Sequence, residues 1–574
     1  MLGCVAALFV CACGESPPPP RSPVAASTSK ETVTPPSAAR PRVVIAIVID
    51  QFAAWIAADR LKELPSMGGF ARLQAEGAYY RDMRFEHAVT DTAPGHAALF
   101  SGATPRDSGI YSNERIDRNT KAHVSIVKDE EATRIGEKGV AGKGAASLKV
   151  MRAETIADKL RAAKPSAWIS SISLKDRAAV FGGGKNPDVV LWHDSETGQF
   201  VTSSAFAPTF PMFLAQGNKG LQDIRNSTWT LANPSWLKVH ALTADNEAGE
   251  GNLDSTGVTF PHRFDAAKGM GLRISPKTDE LLLDLTLASL DEGVKQKRAI
   301  LYAAVSLSAN DYIGHTFGPD SWEAWDELYR LDASIAKFLN ELDRRFGADG
   351  YSVVLSGDHG IVPLPELQTR SDLVSPSVRT SFGLTHEFIS ARIHPKELHK
   401  ELETAARKAL GPGNYILGVS EPFIYYTDDV HALSADKQLA LWQAISQVLM
   451  LTPGRGFERV FLVSEDMRTG RALYEKDLDE SRRLVFNGIS KDVGDIYIIP
   501  KSGSFIETLY TPGKGTNHGS PQLFDRSVPL LVRTHHKKAA GKVYFQPKDF
   551  REFSRTLAEL LEISPPAAAL QRIE

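Results

Sequence analysis

Four long apolar runs, rich in β-branched residues, recur along the chain and predict buried strands. They are VVIAIVID (43–50), AILYAAVSLSAND (299–311), YSVVLSGDH (351–359) and SVPLLVRT (527–534). Uninterrupted apolar runs are typical of strands that are buried on both faces of a parallel sheet. The first three runs end in a carboxylate, at Asp50, Asp311 and Asp358, and we expect these acids to meet at one edge of the sheet.

Helical periodicity alternates with these strands. Between residues 321 and 346, apolar side chains recur every three or four positions, and the pattern begins after Pro319 and stops at Gly347. Residues 280–291 and 548–563 show similar patterns. This alternation predicts an α/β fold with a doubly wound, mostly parallel central sheet flanked by helices. Ligands of such sheets bind beyond the carboxyl ends of the strands, so the three acids also predict a site.

Two stretches depart from this alternation. Residues 183–275 are rich in Gly, Asn, Ser and Trp, and residues 363–510 contain a helical pattern of their own at 435–451 and a strand-like segment, DIYIIP. We interpret both stretches as insertions into a catalytic domain that spans residues 43–565. In this interpretation the insertions rise over the strand ends and form a cap over the active site.

The N-terminal segment predicts export and a lipid anchor. Its apolar run ends at Cys13, short of the ~20 residues of a membrane span but long enough for a signal segment over residues 1–13. Residues 10–13 resemble a bacterial lipobox, in which Cys13 would be acylated, and residues 14–42 form a Pro/Ser-rich tether. We expect a protein of the bacterial cell envelope, periplasmic or surface-facing, with Gly14 favouring the outer membrane. No Lys or Arg precedes Arg21, and the alternative is a frayed apolar terminus.

Composition narrows the choice of partners. The chain has 66 Lys and Arg against 69 Asp and Glu, and this net charge of −3 provides no field for nucleic acid or for an anionic membrane surface. All three cysteines, Cys4, Cys11 and Cys13, lie in the N-terminal segment, which excludes disulfides and a cysteine zinc site from the folded body. We expect a monomer that acts on small molecules.

Acids and histidines follow the predicted strand ends and indicate a metal site. They are Asp50, Asp311 with His315 in DYIGH, Asp358 with His359, and His518 in GTNHGSP. Carboxylate oxygens and imidazole nitrogens suit Zn²⁺. Six such ligands are too many for one tetrahedral ion and suit two. Each residue alone has an ordinary alternative, a helix cap for an Asp or a hydrogen-bonded turn for a His.

Thr92 is the candidate nucleophile. It lies in HAVTDTAPGHAALFSG (87–102), where Pro94 and the small residues after it predict a helix that begins near Thr92. Backbone N–H groups and the helix dipole would favour an anion there, and a metal ion on the threonine oxygen would make it an alkoxide near neutral pH. The alternative is a simple N-cap threonine. We interpret His96 as a residue that packs behind the metal ligands rather than as a ligand.

Together these motifs resemble those of the alkaline phosphatase superfamily. The matching set is Asp50, TAPGH with Thr92, GIYSNE with Asn113, SLKDR with Lys175 and Arg177, DYIGH, GDHG and NHG, in order over residues 43–535. Within the superfamily they are most similar to the phosphate-irrepressible, PafA-type alkaline phosphatases, and the core is similar to that of type I phosphodiesterases and nucleotide pyrophosphatases. The resemblance implies an enzyme that hydrolyses phosphate monoesters to inorganic phosphate and an alcohol.

The resemblance also implies a role for each residue of the set. Two zinc ions would be bound, one by Asp50, Thr92, Asp358 and His359 and the other by Asp311, His315 and His518. Thr92 would attack phosphorus and form a phosphothreonine. Asn113, Lys175 and Arg177 would contact the phosphoryl group, with Lys175 standing where other members of the superfamily place magnesium. A threonine at the nucleophile position argues against a sulfatase, which needs Cys or Ser there.

The substrate class depends on Lys175 and Arg177. Two cations suit the dianion of a monoester, and on a continuous strand their i, i+2 spacing would direct both toward the pocket. The alternative for both residues is that they are surface charges on a strand end. The alternative function is a phosphodiesterase or nucleotide pyrophosphatase with the same two-metal core. A third hypothesis is a metal-binding envelope protein without turnover.

Overall fold

The first apolar run lies at the centre of a twelve-stranded sheet in the computed structural model of the protein. The structure describes residues 40–267, 269–384, 390–452, 454, 456–507, 511–535 and 539–570. The predicted signal segment, the Cys13 anchor and the tether up to residue 39 lie outside the described residues.

The central sheet combines a parallel centre with antiparallel flanks. In spatial order its strands are Lys542–Tyr544, Ala78–Arg84, Ser527–Arg533, Tyr351–Gly357, Arg42–Ile49, Ile300–Leu307, Trp168–Ser173, Val189–Asp194, Gln199–Ser203, Lys128–Gly136 and Gly139–Ala146, and Lys548–Asp549 also pairs with Ala78–Arg84. The strands from Tyr351–Gly357 to Val189–Asp194 are parallel. Ser527–Arg533, the fourth apolar run, pairs antiparallel with Tyr351–Gly357. The α/β fold class is confirmed, but the parallel pairing is concentrated at the centre of a mixed sheet.

Strand Arg42–Ile49 is buried on both faces of the sheet. Ile45 and Ile47 pack into one hydrophobic core and Val44 and Val48 into the other, and none of the four is more than 1% exposed. Burial on both faces explains the uninterrupted apolar run. The register aligns the carboxyl end of this strand with those of Ile300–Leu307 and Tyr351–Gly357, so all three strands end at the same edge.

Helices supply the outer side of both cores. The helices of eight or more residues are Gly69–Glu76, Thr92–Ser101, Ile156–Ala163, Asp176–Gly183, Gln216–Arg225, Pro276–Lys295, Ala309–Phe317, Trp322–Phe346, Pro395–Leu410, Ala435–Leu451, Glu480–Gly488 and Arg551–Leu561. The shorter ones are Ala54–Arg60, Pro105–Ser108, Pro234–His240, Pro376–Ser381, Asp428–His431, Glu465–Thr469 and Leu523–Arg526. Among the described helices, none has both the length and the apolar content that crossing a membrane requires.

The region predicted as the second insertion contains a sheet of its own. Its four strands, in spatial order, are Ile416–Ser420, Phe423–Tyr426, Ile496–Pro500 and Phe457–Leu462, and all neighbours are antiparallel. Leu402 of helix Pro395–Leu410 and Ile445 of helix Ala435–Leu451 pack with Ile424 and Ile498 of this small sheet in a separate hydrophobic core. A separate core explains why the helix and strand patterns of this region did not fit the alternation of the main domain.

The region predicted as the first insertion is shorter than expected. Strands Val189–Asp194 and Gln199–Ser203 belong to the central sheet, so the part outside it begins after Ser203. The polar residues at 195–198 form the turn between these two strands, which hid their apolar pattern. Three pairs of short strands complete the described set: Glu114–Ile116 with His123–Ser125, Thr228–Trp229 with His262–Arg263, and Arg392–Ile393 with Phe505–Ile506.

Candidate active site

Three adjacent strands deliver the carboxylates to one edge of the central sheet. Asp50 and Asp358 directly follow strands Arg42–Ile49 and Tyr351–Gly357, as their apolar runs predict. Asp311 differs, because its strand ends at Leu307 and the residue lies in the first turn of helix Ala309–Phe317. All three carboxylates are buried, with no more than 1% of each residue exposed.

Asp50, Asp358 and His359 form the first group of potential metal ligands, with ligand atoms within 4.8 Å of one another. The Nδ1 atom of His359 lies 3.0 Å from the Gly360 carbonyl oxygen, so a neutral ring donates there and presents the lone pair of Nε2. That Nε2 lies 3.4 Å from Asp50 Oδ1 and 3.5 Å from Asp358 Oδ2 and makes no hydrogen bond. Buried lone pairs that converge without a shared proton fit a bound cation.

The pKa of His359 points to the same conclusion. Burial disfavours the charged imidazole, but the neighbouring Asp358 and Asp50 outweigh it and raise the pKa of His359 to about 10. The site therefore attracts positive charge strongly enough to hold a proton when no metal is present.

Asp311 and His518 form the second group, with ligand atoms within 4.8 Å of each other and of His359, and the predicted ligand His315 lies beside them. Nδ1 of His315 lies 2.9 Å from the Thr516 carbonyl oxygen and Nδ1 of His518 lies 2.8 Å from that of Thr90. When both rings are neutral and donate from Nδ1 in this way, their Nε2 lone pairs point toward each other. The two Nε2 atoms are 3.2 Å apart. Asp311 Oδ1 lies 3.2 Å from His315 Nε2 and 3.8 Å from His518 Nε2. One carboxylate oxygen and two imidazole nitrogens that converge in this way can share a proton or bind a metal cation.

The two groups are neighbours. The rings of His359 and His518 stack with their centroids 3.7 Å apart. Lys175 connects the groups from another side, because its Nζ lies 2.7 Å from Asp50 Oδ2 and 2.6 Å from Asp311 Oδ2. Burial lowers the pKa of Lys175, but Asp311 and Asp50 outweigh this effect and hold it above its ordinary value, so the ammonium is charged. The structure thus brings all six predicted carboxylate and imidazole ligands together.

Thr92 is the first residue of helix Thr92–Ser101, and its hydroxyl is not the helix cap. Asp91 is the N-cap, and its Oδ1 accepts a hydrogen bond from Thr92 N at 3.0 Å. Thr92 Oγ1 instead accepts one from Lys175 Nζ at 3.2 Å. The N-cap alternative for Thr92 is therefore wrong, and its hydroxyl lies against the charged group that joins the two ligand sets.

The first N–H groups of this helix do not bind an anion directly, contrary to the expectation from its dipole. Thr92 N donates to Asp91, and Ala93 N donates to Asn113 Oδ1 at 2.8 Å. The third residue is Pro94, which has no N–H, and Gly95 N donates to the Asp91 carbonyl at 2.8 Å. Side chains, rather than these backbone groups, must contact an anion at Thr92.

Asn113 is held in one orientation by two partners. Because Ala93 N must donate, the amide oxygen of Asn113 faces it, and Nδ2 donates one hydrogen to Asp91 Oδ1. Asn113 N also donates to Asp91 Oδ2 at 3.1 Å. The second hydrogen of Nδ2 remains for a ligand in the cavity that Asn113 lines. Sequence analysis did not identify Asp91, although an Asp directly before a Pro-containing first turn is a recognised N-cap signal.

The i, i+2 spacing of Lys175 and Arg177 suggested a continuous strand, but neither residue lies on one. Strand Trp168–Ser173 ends two residues earlier, where Ser173 Oγ accepts a hydrogen bond from Lys175 N at 3.2 Å, and helix Asp176–Gly183 follows. Both side chains nevertheless line the cavity at Thr92, and Arg177 is half-buried there. Lys175 lies in the turn between strand and helix and Arg177 in the first turn of the helix, and these positions, rather than the period of a strand, direct both side chains inward.

Two further residues position the ligands. Gln51 donates from its backbone N to Asp358 Oδ1 and from Nε2 to Asp311 Oδ1, each at 3.0 Å. His96 is fully buried, with Nδ1 3.0 Å from Asp358 Oδ2 and Nε2 2.9 Å from Ser306 Oγ. His96 therefore packs behind a ligand, as its sequence context predicted. Gln51 carries no sequence signal of its own beyond following Asp50.

The site opens into a cavity of about 720 Å³. Its inner wall includes Thr92, Asn113, Lys175, Arg177 and His518. Its outer wall comes from the hairpin of strands Glu114–Ile116 and His123–Ser125 and from the region 363–510. This arrangement can hold an anion against Thr92 and leaves space for a larger group attached to it.

The sequence pattern of one family matches most of this chain. The family described as type I phosphodiesterase / nucleotide pyrophosphatase matches residues 44–521, which include every ligand and phosphoryl-contact candidate above. The chain belongs to this family. All of the motifs assembled at the sheet edge therefore lie within the family's homologous core.

Individual members of the superfamily match nearly the whole chain. Alkaline phosphatase PafA of Elizabethkingia meningoseptica is 27% identical over 92% of this chain and 93% of its own, and alkaline phosphatase PhoK of a Sphingomonas species is 28% identical over 94% and 89%. The crystal structure of wild-type PafA, 26% identical, superposes with a TM-score of 0.75 over 93% of this chain and 98% of that one. The chain thus has the fold of these alkaline phosphatases.

Proposed function

We propose that this family member is an alkaline phosphatase that hydrolyses small-molecule phosphate monoesters to inorganic phosphate and an alcohol. The observation that carries the proposal is the placement of the Thr92 hydroxyl, which does not cap its helix and lies 3.2 Å from the Lys175 ammonium. That ammonium also contacts Asp50 and Asp311, one carboxylate from each group of potential metal ligands. The relatives that match over most of the chain are named as alkaline phosphatases.

The spacing of Thr92 and the three phosphoryl-contact candidates supports their assignment. A solved PafA variant carries replacements of a Thr, an Asn, a Lys and an Arg. The intervals between those positions are 21, 62 and 2 residues, the same as those between Thr92, Asn113, Lys175 and Arg177 here. Identical spacing over this length supports the same four roles in this chain.

The donor set favours zinc as the metal. We assign one ion to Asp50, Thr92, Asp358 and His359 and a second to Asp311, His315 and His518, all oxygen and imidazole ligands. When bound, such a pair supplies Lewis acidity that lowers the pKa of a coordinated hydroxyl and neutralises the charge of the leaving oxygen.

The residues of the chain position and stabilise the transferred group. Thr92 Oγ1, having lost its proton, attacks phosphorus, and the bond to the leaving oxygen breaks as the phosphothreonine forms. Water then displaces Thr92, releases inorganic phosphate and returns a proton to Oγ1. Through both steps the free Nδ2 hydrogen of Asn113 and the cations Lys175 and Arg177 lie where charge develops on the non-bridging oxygens.

A phosphodiesterase or nucleotide pyrophosphatase is the second candidate, favoured by the family that matches residues 44–521. The two are separated by kcat/KM for p-nitrophenyl phosphate and bis(p-nitrophenyl) phosphate. We expect the monoester to be preferred, because a dianion meets both Lys175 and Arg177. Preference for the bis ester would support the second candidate. Metal binding without hydrolysis of either compound would support a binding protein.

Metal removal tests the cofactor. Treatment with a chelator is expected to abolish hydrolysis, and added Zn²⁺ should restore it with two ions per chain by elemental analysis. Restoration by Mg²⁺ alone, or one ion per chain at full activity, would contradict the assignment of two zinc sites.

We also propose that the protein is a lipid-anchored monomer of the bacterial cell envelope. The lipobox-like residues 10–13 and the Pro/Ser-rich tether support this location. In cells, labelled palmitate should enter the wild type and Cys11→Ser but not Cys13→Ser. An unlabelled wild type would refute the anchor, and light scattering of the released domain tests the monomer.

A further inference from the structure

The outer part of the active-site cavity carries a second set of basic side chains. The cavity volume of about 720 Å³ greatly exceeds that of a phosphoryl group and is in the range of pockets that enclose a whole small molecule. Beyond the phosphoryl-contact residues and the metal-ligand candidates His315 and His518, the basic side chains that line it are Lys121, His123, Lys396 and His399. The leaving group of an ester bound at Thr92 has to occupy this outer space.

Lys121 and His123 are presented by the hairpin of strands Glu114–Ile116 and His123–Ser125. This hairpin starts directly after Asn113, so it extends from the residue that contacts the phosphoryl group. Its outer end is fixed, because Lys121 N donates to the Asp117 carbonyl at 2.7 Å across the turn. Its first strand is tied to the small sheet by a hydrogen bond from Ser420 Oγ to the Glu114 carbonyl at 3.3 Å.

Lys396 and His399 come from the start of helix Pro395–Leu410. Residues three apart lie on the same face of a helix, so one face directs both side chains toward the cavity. Within the described part of the chain, Lys121, Lys396 and His399 form no ion pair, so both ammonium groups are open to an anionic ligand.

Among the described residues, the acids of the cavity wall leave Lys121 and Lys396 without an ion-pair partner, although Glu114 pairs with His123. Asp91 is occupied by the N–H groups of Thr92 and Asn113. Glu114 lies beside His123, with Oε2 3.8 Å from its Nδ1. Burial, with a smaller contribution from Asp91, holds the pKa of the Glu421 carboxyl well above its ordinary value, so this group is uncharged. The lysines thus leave a net positive charge at the outer end.

We infer that Lys121 and Lys396, with His123 and His399, form a subsite for a second phosphate on the leaving group. The enzyme then prefers monoesters whose alcohol carries another phosphate over monoesters of uncharged alcohols. This inference rests on the proposed monoesterase function and names its substrate class. A phosphate that reaches the outer end exchanges solvent for two unpaired ammonium groups while the reacting phosphoryl group stays at Thr92.

Two nucleotides that differ by one phosphate test the subsite on the zinc-loaded full-length enzyme. Adenosine 3′,5′-bisphosphate offers two cleavable phosphates, so without a subsite its kcat/KM should be about twice that of adenosine 5′-monophosphate. With a subsite we expect about tenfold, since one exposed ion pair contributes roughly two- to fivefold. In 1 M NaCl, where the Debye length is about 3 Å, the ratio should approach two.

Paired variants locate the effect. Lys121→Gln/Lys396→Gln should reduce the ratio toward two, whereas Lys400→Gln should keep it, because Lys400 is exposed on the same helix but does not line the cavity. A wild-type ratio near two, or one that the double variant leaves unchanged, would overturn the subsite and leave the monoesterase standing. If neither nucleotide nor p-nitrophenyl phosphate releases phosphate, the monoesterase itself fails, and the subsite with it.

Discussion

Lys175 is predicted to stabilise the metal-free site as well as to contact substrate. Its Nζ lies 2.7 Å from Asp50 Oδ2 and 2.6 Å from Asp311 Oδ2, and its side chain is 1% exposed. Lys175→Met keeps most of the apolar stem and removes the ammonium. The two carboxylates then remain buried beside Asp358 without that compensating charge.

The size of the effect follows from these distances. At an effective dielectric constant of about 20, each contact is worth roughly 6 kcal/mol of Coulomb energy. Desolvation of the three groups offsets more than half of the sum. The remainder agrees with the cost of about 3–5 kcal/mol that follows when one partner of a buried ion pair is removed. The pKa of Lys175 is raised by folding, so this stability is fully present at neutral pH and is lost only as the pH rises through that raised pKa.

Calorimetric unfolding with chelator and with saturating Zn²⁺ measures the effect. In chelator, we expect the free energy of unfolding of Lys175→Met to fall by about 3–5 kcal/mol relative to the wild type. In Zn²⁺ the deficit should shrink by at least half, because bound cations supply positive charge to the same carboxylates. Lys185→Met is the matched control, since Lys185 is exposed just beyond helix Asp176–Gly183.

Two results would refute this reasoning. An equal loss of stability with and without Zn²⁺ would show that Lys175 acts through packing alone. No loss in chelator would show that Asp50 and Asp311 do not depend on its charge.

Three further substitutions test the catalytic assignments. Thr92→Ala should abolish the acid-stable phosphoenzyme formed from radiolabelled substrate while bound metal is retained, because six other ligands remain; a labelled variant would reassign the nucleophile. Arg177→Ala should lower kcat/KM for p-nitrophenyl phosphate by an amount equivalent to about 2–4 kcal/mol of transition-state stabilisation, the scale of one lost donor. The loss for the bis ester should be smaller, and equal losses would contradict a dianion-specific role. Asp91→Ala should reduce kcat/KM, because it frees the Asn113 amide from its hydrogen bonds to Asp91. If Asp91 acts only through Asn113, the double variant Asp91→Ala/Asn113→Ala should be no slower than Asn113→Ala. Additive losses in kcat/KM would show that Asp91 acts independently.

The metal-ligand candidates could be predicted from the sequence because the carboxylates stand at the ends of buried apolar strands. A strand buried on both faces carries no carboxylate until it leaves the sheet, so Asp50 and Asp358 stand out at the ends of apolar runs. Parallel neighbours then bring those ends together. Asp311 followed the same logic, although it lies four residues beyond its strand, because the first turn of a helix stays near the strand end.

The contacts that support the ligands could not be predicted, because they depend on the geometry of turns rather than on the hydrophobic periodicity of helices and strands. Lys175 reaches the cavity from a short connection between strand and helix, and Arg177 from the first turn of that helix, and the sequence does not distinguish either from a longer strand. Gln51 contacts two ligands in a left-handed backbone conformation, with a φ of 66°, which nothing in its neighbours signals. The antiparallel direction of Ser527–Arg533 is likewise set by its partner, since its own apolar run fits either direction.

The order of strands in the central sheet has a consequence for biosynthesis. Strand Arg42–Ile49 leaves the ribosome first, yet both of its partners in the sheet, Ile300–Leu307 and Tyr351–Gly357, are translated only after most of the first half of the chain. His518 follows later still. A nascent or truncated chain therefore carries an unpaired strand that is apolar from Val43 to Ile49 and open to aggregation. It gains the full set of metal ligands only when translation is almost complete.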